Sequence, residues 1–100
     1  MGENKARLTD DETDIELQKL EGWRREGIFL KKDYIFENFK QINAFLPHLT
    51  TTIVSQNHHP DFSLVCAEKK VAVEVTTHSE GGITKADIGL AQALELWPRP

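Results

Sequence analysis

Apolar residues recur three or four apart over residues 35–56, the longest such run in the chain. Phe36, Phe39, Ile42 or Asn43, Leu46, Leu49 and Ile53 share one helix face. Packing of that stripe against a sheet is its plain meaning. Pro47 interrupts it, and an interior proline costs a helix on the order of 3 kcal/mol. The helix is therefore expected to kink or break near Leu46, with a weaker second half through Thr50, Thr51 and Thr52.

Ahead of it, Thr9-Asp10-Asp11-Glu12 forms a capping box that starts a short helix with Ile15, Leu17 and Leu20 as its apolar side. Glu21-Gly22 ends that helix. Trp23 to Tyr34 holds two short strands, with Arg24, Arg25, Glu26 and Gly27 in the turn region and Ile28, Phe29 and Leu30 in the second strand.

Past the long helix, Asn57 to Pro60 breaks the pattern. Phe62 to Ala67 reads as a strand, Glu68-Lys69-Lys70 as a polar turn, and Val71 to His78 as a second strand. In that strand Val71, Val73 and Val75 share one face, and Ala72 and Glu74 the other. Ser79-Glu80-Gly81-Gly82 is a flexible connection. Thr84-Lys85-Ala86-Asp87 is a second capping box, opening a helix with Ile88, Ala91, Leu94 and Trp97 that Pro98 ends. The expected fold is α+β: a four-stranded antiparallel sheet with three helices packed on one face, in the order α-β-β-α-β-β-α. Residues 1–8 read as a loose tail and 9–97 as one domain.

Composition narrows the classes. A chain of 100 residues is one small domain, for which self-association is a natural source of extra stability. A net charge of −4 argues against a phosphate-backbone binder, so no direct nucleic-acid partner is expected. The single cysteine, Cys66, excludes an internal disulfide and a Cys-rich zinc site, and it reads as a small apolar filler. No apolar run reaches membrane-spanning length and the first residues lack a signal core, so a cytoplasmic setting is expected.

The chemistry gathers around Asn57-His58-His59-Pro60-Asp61-Phe62. Two imidazoles adjoin there, and a third, His78, lies at the far end of the following hairpin. Both ends lie opposite the hairpin turn, so the three imidazoles are expected to converge. Imidazole suits proton transfer near neutral pH. Adjacent residues on an extended segment point opposite ways and no His-Glu-x-x-His is present, so no metal site is expected. Histidines that merely cap a loop are the competing reading. Asp87 has two compatible roles, the third residue of its capping box and a partner holding His78 in one tautomer. Gly81-Gly82 reads as a turn rather than a phosphate loop. His48 reads as a surface residue without a convergent partner.

With these residues in place, the chain resembles the pterin-4a-carbinolamine dehydratases over about residues 7–97. The resemblance rests on His58-His59-Pro60-Asp61 with an aromatic next, Thr76-Thr77-His78, and Gly81-Gly82-Ile83-Thr84 leading to Asp87. Arg7-Leu8-Thr9, Gly22-Trp23 and Phe36-Glu37-Asn38-Phe39 are further landmarks. It implies dehydration of 4a-hydroxytetrahydrobiopterin, or a related pterin, to the quinonoid dihydropterin. His58 and His78 would be the proton-transfer pair, and His59, Pro60, Phe62 and Asp87 would bind substrate. It implies no metal and no organic cofactor, a homodimer or homotetramer, and an aromatic amino acid hydroxylase as pathway partner. The chain departs from the family pattern at Val54, where an acidic residue is usual, at Phe62, where Trp is usual, and at Cys66-Ala67, where Tyr-Asn is usual. Relatives on this fold also include non-catalytic protein-binding and assembly factors, which supply the alternative function.

Overall fold

The computed structural model describes residues 6–98. Helix α1 spans Asp10–Leu17 and opens on the expected capping box. The Thr9 amide donates to the Glu12 carboxylate at 2.8 Å, and the Glu12 amide donates to the Thr9 hydroxyl at 3.1 Å. Acidic residues fill its first turn, where the helix dipole favours them. The expected apolar side is only partly used. Leu20, beyond the helix, is buried and Leu17 partly so, whereas Ile15 is 56% exposed. Of the tail expected over residues 1–8, the first five lie outside the described residues. Leu8 is anchored, since its amide donates to the Ile83 carbonyl at 2.8 Å and its side chain packs on the core.

Strand β1 is Arg24–Glu26 and strand β2 is Phe29–Ile35. Arg24, Arg25 and Glu26 therefore form a strand rather than the turn expected of them, and the turn is Gly27-Ile28. Gly27 has φ +61°, which glycine adopts without a Cβ penalty. Backbone pairing with β2 holds the charged strand, and side chains on both its faces find ionic partners. Arg24 pairs with Glu26, while Arg25 reaches α1 and pairs with Asp14 at 3.1 Å.

Helix α2 runs unbroken from Phe39 to Gln56 with Pro47 inside it, so the expected break is absent. The carbonyl that loses its donor lies four residues back, on exposed Asn43, where water can replace the missing N–H. Asn38 caps the helix by accepting from the Gln41 amide at 3.0 Å. The helix thus begins at Phe39, leaving Phe36 outside it. The buried face is Ile42, Phe45, Leu49 and Thr52, with Leu46 and Ile53 partly buried. Phe39, expected in the stripe, is 49% exposed, and Phe45 takes its place at 0%. Phe45 centres an aromatic cluster, with ring centroids 4.7 Å from Tyr34, 5.2 Å from Phe36 and 5.1 Å from Trp97.

Strand β3 is Asp61–Val65, and a 3₁₀ turn over Cys66–Glu68 leads through left-handed Lys69 into strand β4, Lys70–Val75. The turn begins two residues earlier than expected, so Cys66 is an exposed turn residue and not a core filler. All pairings are antiparallel, in the order β1-β2-β4-β3. Along β4, Val71, Val73 and Val75 are buried and alternate with half-buried Ala72 and Glu74. That valine face meets α2 and helix α3, Lys85–Leu94, in one core. The three helices and four-stranded antiparallel sheet make an α+β fold. The last helix stops at Leu94, earlier than expected, and Trp97 packs back onto Phe36 and Phe45 from beyond it.

Candidate active site

Helix α2 ends at Asn57, which caps it in the left-handed region at φ 51°. Asparagine tolerates that conformation better than most residues. The reversal throws His58 toward the start of α3, leaves His59 exposed and buries Pro60. The His58 side chain is 15% exposed, and its Nε2 lies 2.6 Å from Oδ1 of Asp87.

Asp87 is 0% exposed and fully partnered. It is the third residue of the α3 capping box, so its Oδ2 accepts from the Thr84 amide at 2.8 Å. The same oxygen accepts from the Thr77 hydroxyl at 2.9 Å. The capping role read from sequence is present. The second role goes to a different histidine: Asp87 holds His58, not His78. The chain leaves β4 into a tight turn that carries the His78 ring outward, whereas the end of α2 delivers His58 over the first turn of α3. With both oxygens occupied, Asp87 has none turned to solvent, although the resemblance implied that it binds substrate.

His78 opens a 3₁₀ turn, His78–Glu80, closed by Gly81 at φ +70°. Thr77 and Gly82 bridge the turn, their amides donating to each other's carbonyls at 3.0 and 3.4 Å. The His78 ring is exposed and packs edge-on to Phe29, with centroids 6.4 Å apart. The pairing of Asp61 with Glu74 sets the start of β3 beside the end of β4. His58, His59 and His78 therefore leave the same end of the hairpin. Among the described residues, no hydrogen bond or ring contact joins His78 to His58 or His59 directly. His58 and His78 are connected through Asp87 and Thr77. Phe62 pairs with Val73 on edge strand β3 and is 43% exposed, its ring open to a flat partner. Among the described residues, no group of three or more His, Cys, Asp or Glu side chains could hold a metal ion.

Three polar residues received no such role from the sequence. Thr77 and Thr84 share a hydroxyl contact at 2.8 Å beside Asp87. Glu95 accepts from Tyr34 at 2.5 Å, Lys32 at 2.9 Å and Trp23 at 3.2 Å, tying the first hairpin to the end of α3. Burial pushes the Glu95 carboxyl up, but the Tyr34 and Lys32 hydrogen bonds and the Lys32 charge outweigh it and hold it below its ordinary value. His48 is not the free surface residue expected. Its Nε2 donates to the Leu94 carbonyl at 3.0 Å, and its ring lies against Phe45. Nothing local in the sequence marks the partners of Glu95 and His48, which lie 46 to 72 positions away.

Residues 6–96 match the protein family described as pterin 4 alpha carbinolamine dehydratase. The chain is 38% identical over 89 residues to a protein of Sulfurisphaera tokodaii provisionally named as a pterin-4-alpha-carbinolamine dehydratase, covering 89% of this chain and 94% of that one. A protein of Thermomicrobium roseum, named in the same provisional way, is 38% identical with the same coverage. Among solved structures, a protein of Brucella melitensis described as a transcriptional coactivator/pterin dehydratase superposes with a TM-score of 0.81 at 27% identity, covering 89% of this chain and 95% of that one.

Proposed function

Because the chain belongs to the pterin-4-alpha-carbinolamine dehydratase family, we propose that it removes water from a pterin 4a-carbinolamine, such as 4a-hydroxytetrahydrobiopterin, to give the quinonoid dihydropterin. In that reaction the C4a–O bond breaks, the neighbouring ring nitrogen gives up its proton, and a carbon–nitrogen double bond forms as water departs. It needs an acid for the leaving hydroxyl and a base for the ring proton.

The observation that carries this reading is the 2.6 Å contact between His58 and a fully buried carboxylate. A carboxylate already accepting from two donors receives the ring N–H on its free oxygen. His58 is then left with Nδ1 as its working nitrogen, and we assign it as the base. His78, exposed on its turn, gives its proton to the departing hydroxyl. His59 and Phe62 form the exposed surface on which the pterin rests, buried Pro60 fixes the chain between them, and Asp87 acts through His58. No metal or organic cofactor enters the reaction. A hydroxylase acting on aromatic amino acids would supply the carbinolamine.

Exposed Leu64 and the open edge of strand β3 support self-association into a homodimer or homotetramer. No helix among the described residues is long and apolar enough to cross a membrane, and a cytoplasmic location fits the proposed reaction. The second reading is a non-catalytic protein-binding module on the same fold, favoured by the Brucella neighbour's description as a coactivator.

The test follows dehydration of freshly generated 4a-hydroxypterin by absorbance, with wild type, His58→Ala and His78→Ala. Wild type should exceed the uncatalysed rate and each variant should lose at least about 100-fold. Three rates equal to the uncatalysed one overturn the dehydratase reading. A stoichiometric protein partner recovered from native extract would then favour the module.

A further inference from the structure

We propose that Thr77 is the positioning residue for His58, acting through Asp87, an assignment that rests on the dehydratase reading for its catalytic meaning but not for its geometry. Thr77 is buried, so it does not itself touch a substrate. Counting protons fixes the direction of its hydrogen bonds. The Thr84 amide can only donate, and it donates to Asp87 Oδ2 at 2.8 Å. The Thr77 hydroxyl has one proton, and its contact with the same oxygen at 2.9 Å uses it. The 2.8 Å contact between the two threonine hydroxyls must then be supplied by Thr84. Thr84 Oγ1 in turn accepts from the Ala86 amide at 3.2 Å.

The result is a one-way chain from Thr84 through Thr77 to Asp87. It saturates Oδ2, fixes the plane of the carboxylate and leaves Oδ1 for His58 alone. His58 is thereby held with its proton on Nε2. Thr77 also immediately precedes His78, and its backbone holds that residue's turn closed against Gly82. One residue thus sets the first histidine with its side chain and the second with its backbone. The α3 capping box, an ordinary structural device, doubles as the mount for the proton-transfer site.

The test reads the ring nitrogens of His58 by NMR in the ligand-free, ¹⁵N-histidine-labelled protein, alongside kcat and KM for dehydration. Wild type is expected to show the Nε2–H tautomer. Thr77→Val, of nearly equal size, should mix the tautomers and lower kcat by about 10- to 100-fold with KM changed less than about twofold. Thr77→Ser should restore both. Wild-type His58 resting as the Nδ1–H tautomer overturns the proposal, whether or not any variant folds. So does a folded Thr77→Val that keeps both the wild-type tautomer and wild-type kcat, or a Thr77→Ser as impaired as the valine form. If the tautomer pattern follows Thr77 as expected but no form dehydrates a carbinolamine, the proposed function fails and the positioning role stands.

Discussion

His58 and Asp87, 29 positions apart in the chain, meet at 2.6 Å with the carboxylate wholly shielded from water. A buried carboxylate persists only when its acceptor capacity is met, and here a ring nitrogen, a hydroxyl and a helix N-terminal amide meet it. The pair joins the exit of α2, the end of β4 and the start of α3 at one point.

Replacing Asp87 by Asn should separate its two jobs. The amide can accept from the Thr84 amide or from His58, but its NH₂ end cannot accept from either. Loss of about 1–3 kcal/mol of stability is expected from the unsatisfied donor, measured by urea unfolding. A fall in kcat of about 100-fold or more should accompany it in a dehydration assay, as the favoured tautomer is lost. Asp87→Asn with full activity would dissociate the capping role from the chemistry.

Glu95 makes stability depend on pH in the acid range. Its folded-state value is lowered by its donors despite burial, below the roughly 4.3 of an unfolded glutamate. The stabilisation is therefore complete above the unfolded value and lost as pH falls through the folded one. Unfolding free energies from pH 7 downward should drop less steeply for Glu95→Gln than for wild type. Parallel curves would remove Glu95 from the account.

The choice between Phe45 and Phe39 as the anchor of α2 has a simple measure. Phe45→Ala should cost about 3–5 kcal/mol in equilibrium unfolding, because it empties the centre of the aromatic cluster. Phe39→Ala should stay within about 0.5 kcal/mol, its ring being half exposed. The opposite order would mean that the helix is rotated about its axis.

Pro47 lies on the exposed side of an unbroken helix. Pro47→Ala restores a hydrogen bond to the Asn43 carbonyl and should stabilise the protein by about 1–3 kcal/mol, read as a rise in thermal midpoint. A lower midpoint would show that the ring contributes more by restraining the unfolded chain than it costs in the helix.

Sequence by itself determined what depends on neighbours within about four positions. Thr9 with Glu12 and Thr84 with Asp87 announced two helix starts, and both capping boxes formed. The valine alternation of β4 announced its buried face. Those features belong to the local geometry of helix and strand, which any fold containing the segment would keep. The histidine-rich stretch and His78 could be singled out because residue type and motif are visible without coordinates. Which residues meet across the molecule was decided only by the packed structure. Asp87 could reach His58 or His78 on paper, and the direction in which the chain leaves α2 and β4 selected His58. Glu95 joins Tyr34 across 61 positions and His48 joins the Leu94 carbonyl across 46. Phe45 displaced Phe39 because Phe39 stands half exposed at the first position of α2, while Phe45 meets Tyr34, Phe36 and Trp97 in the core. Such pairings carry no periodic signal, since each follows from how two surfaces come to rest against a shared core.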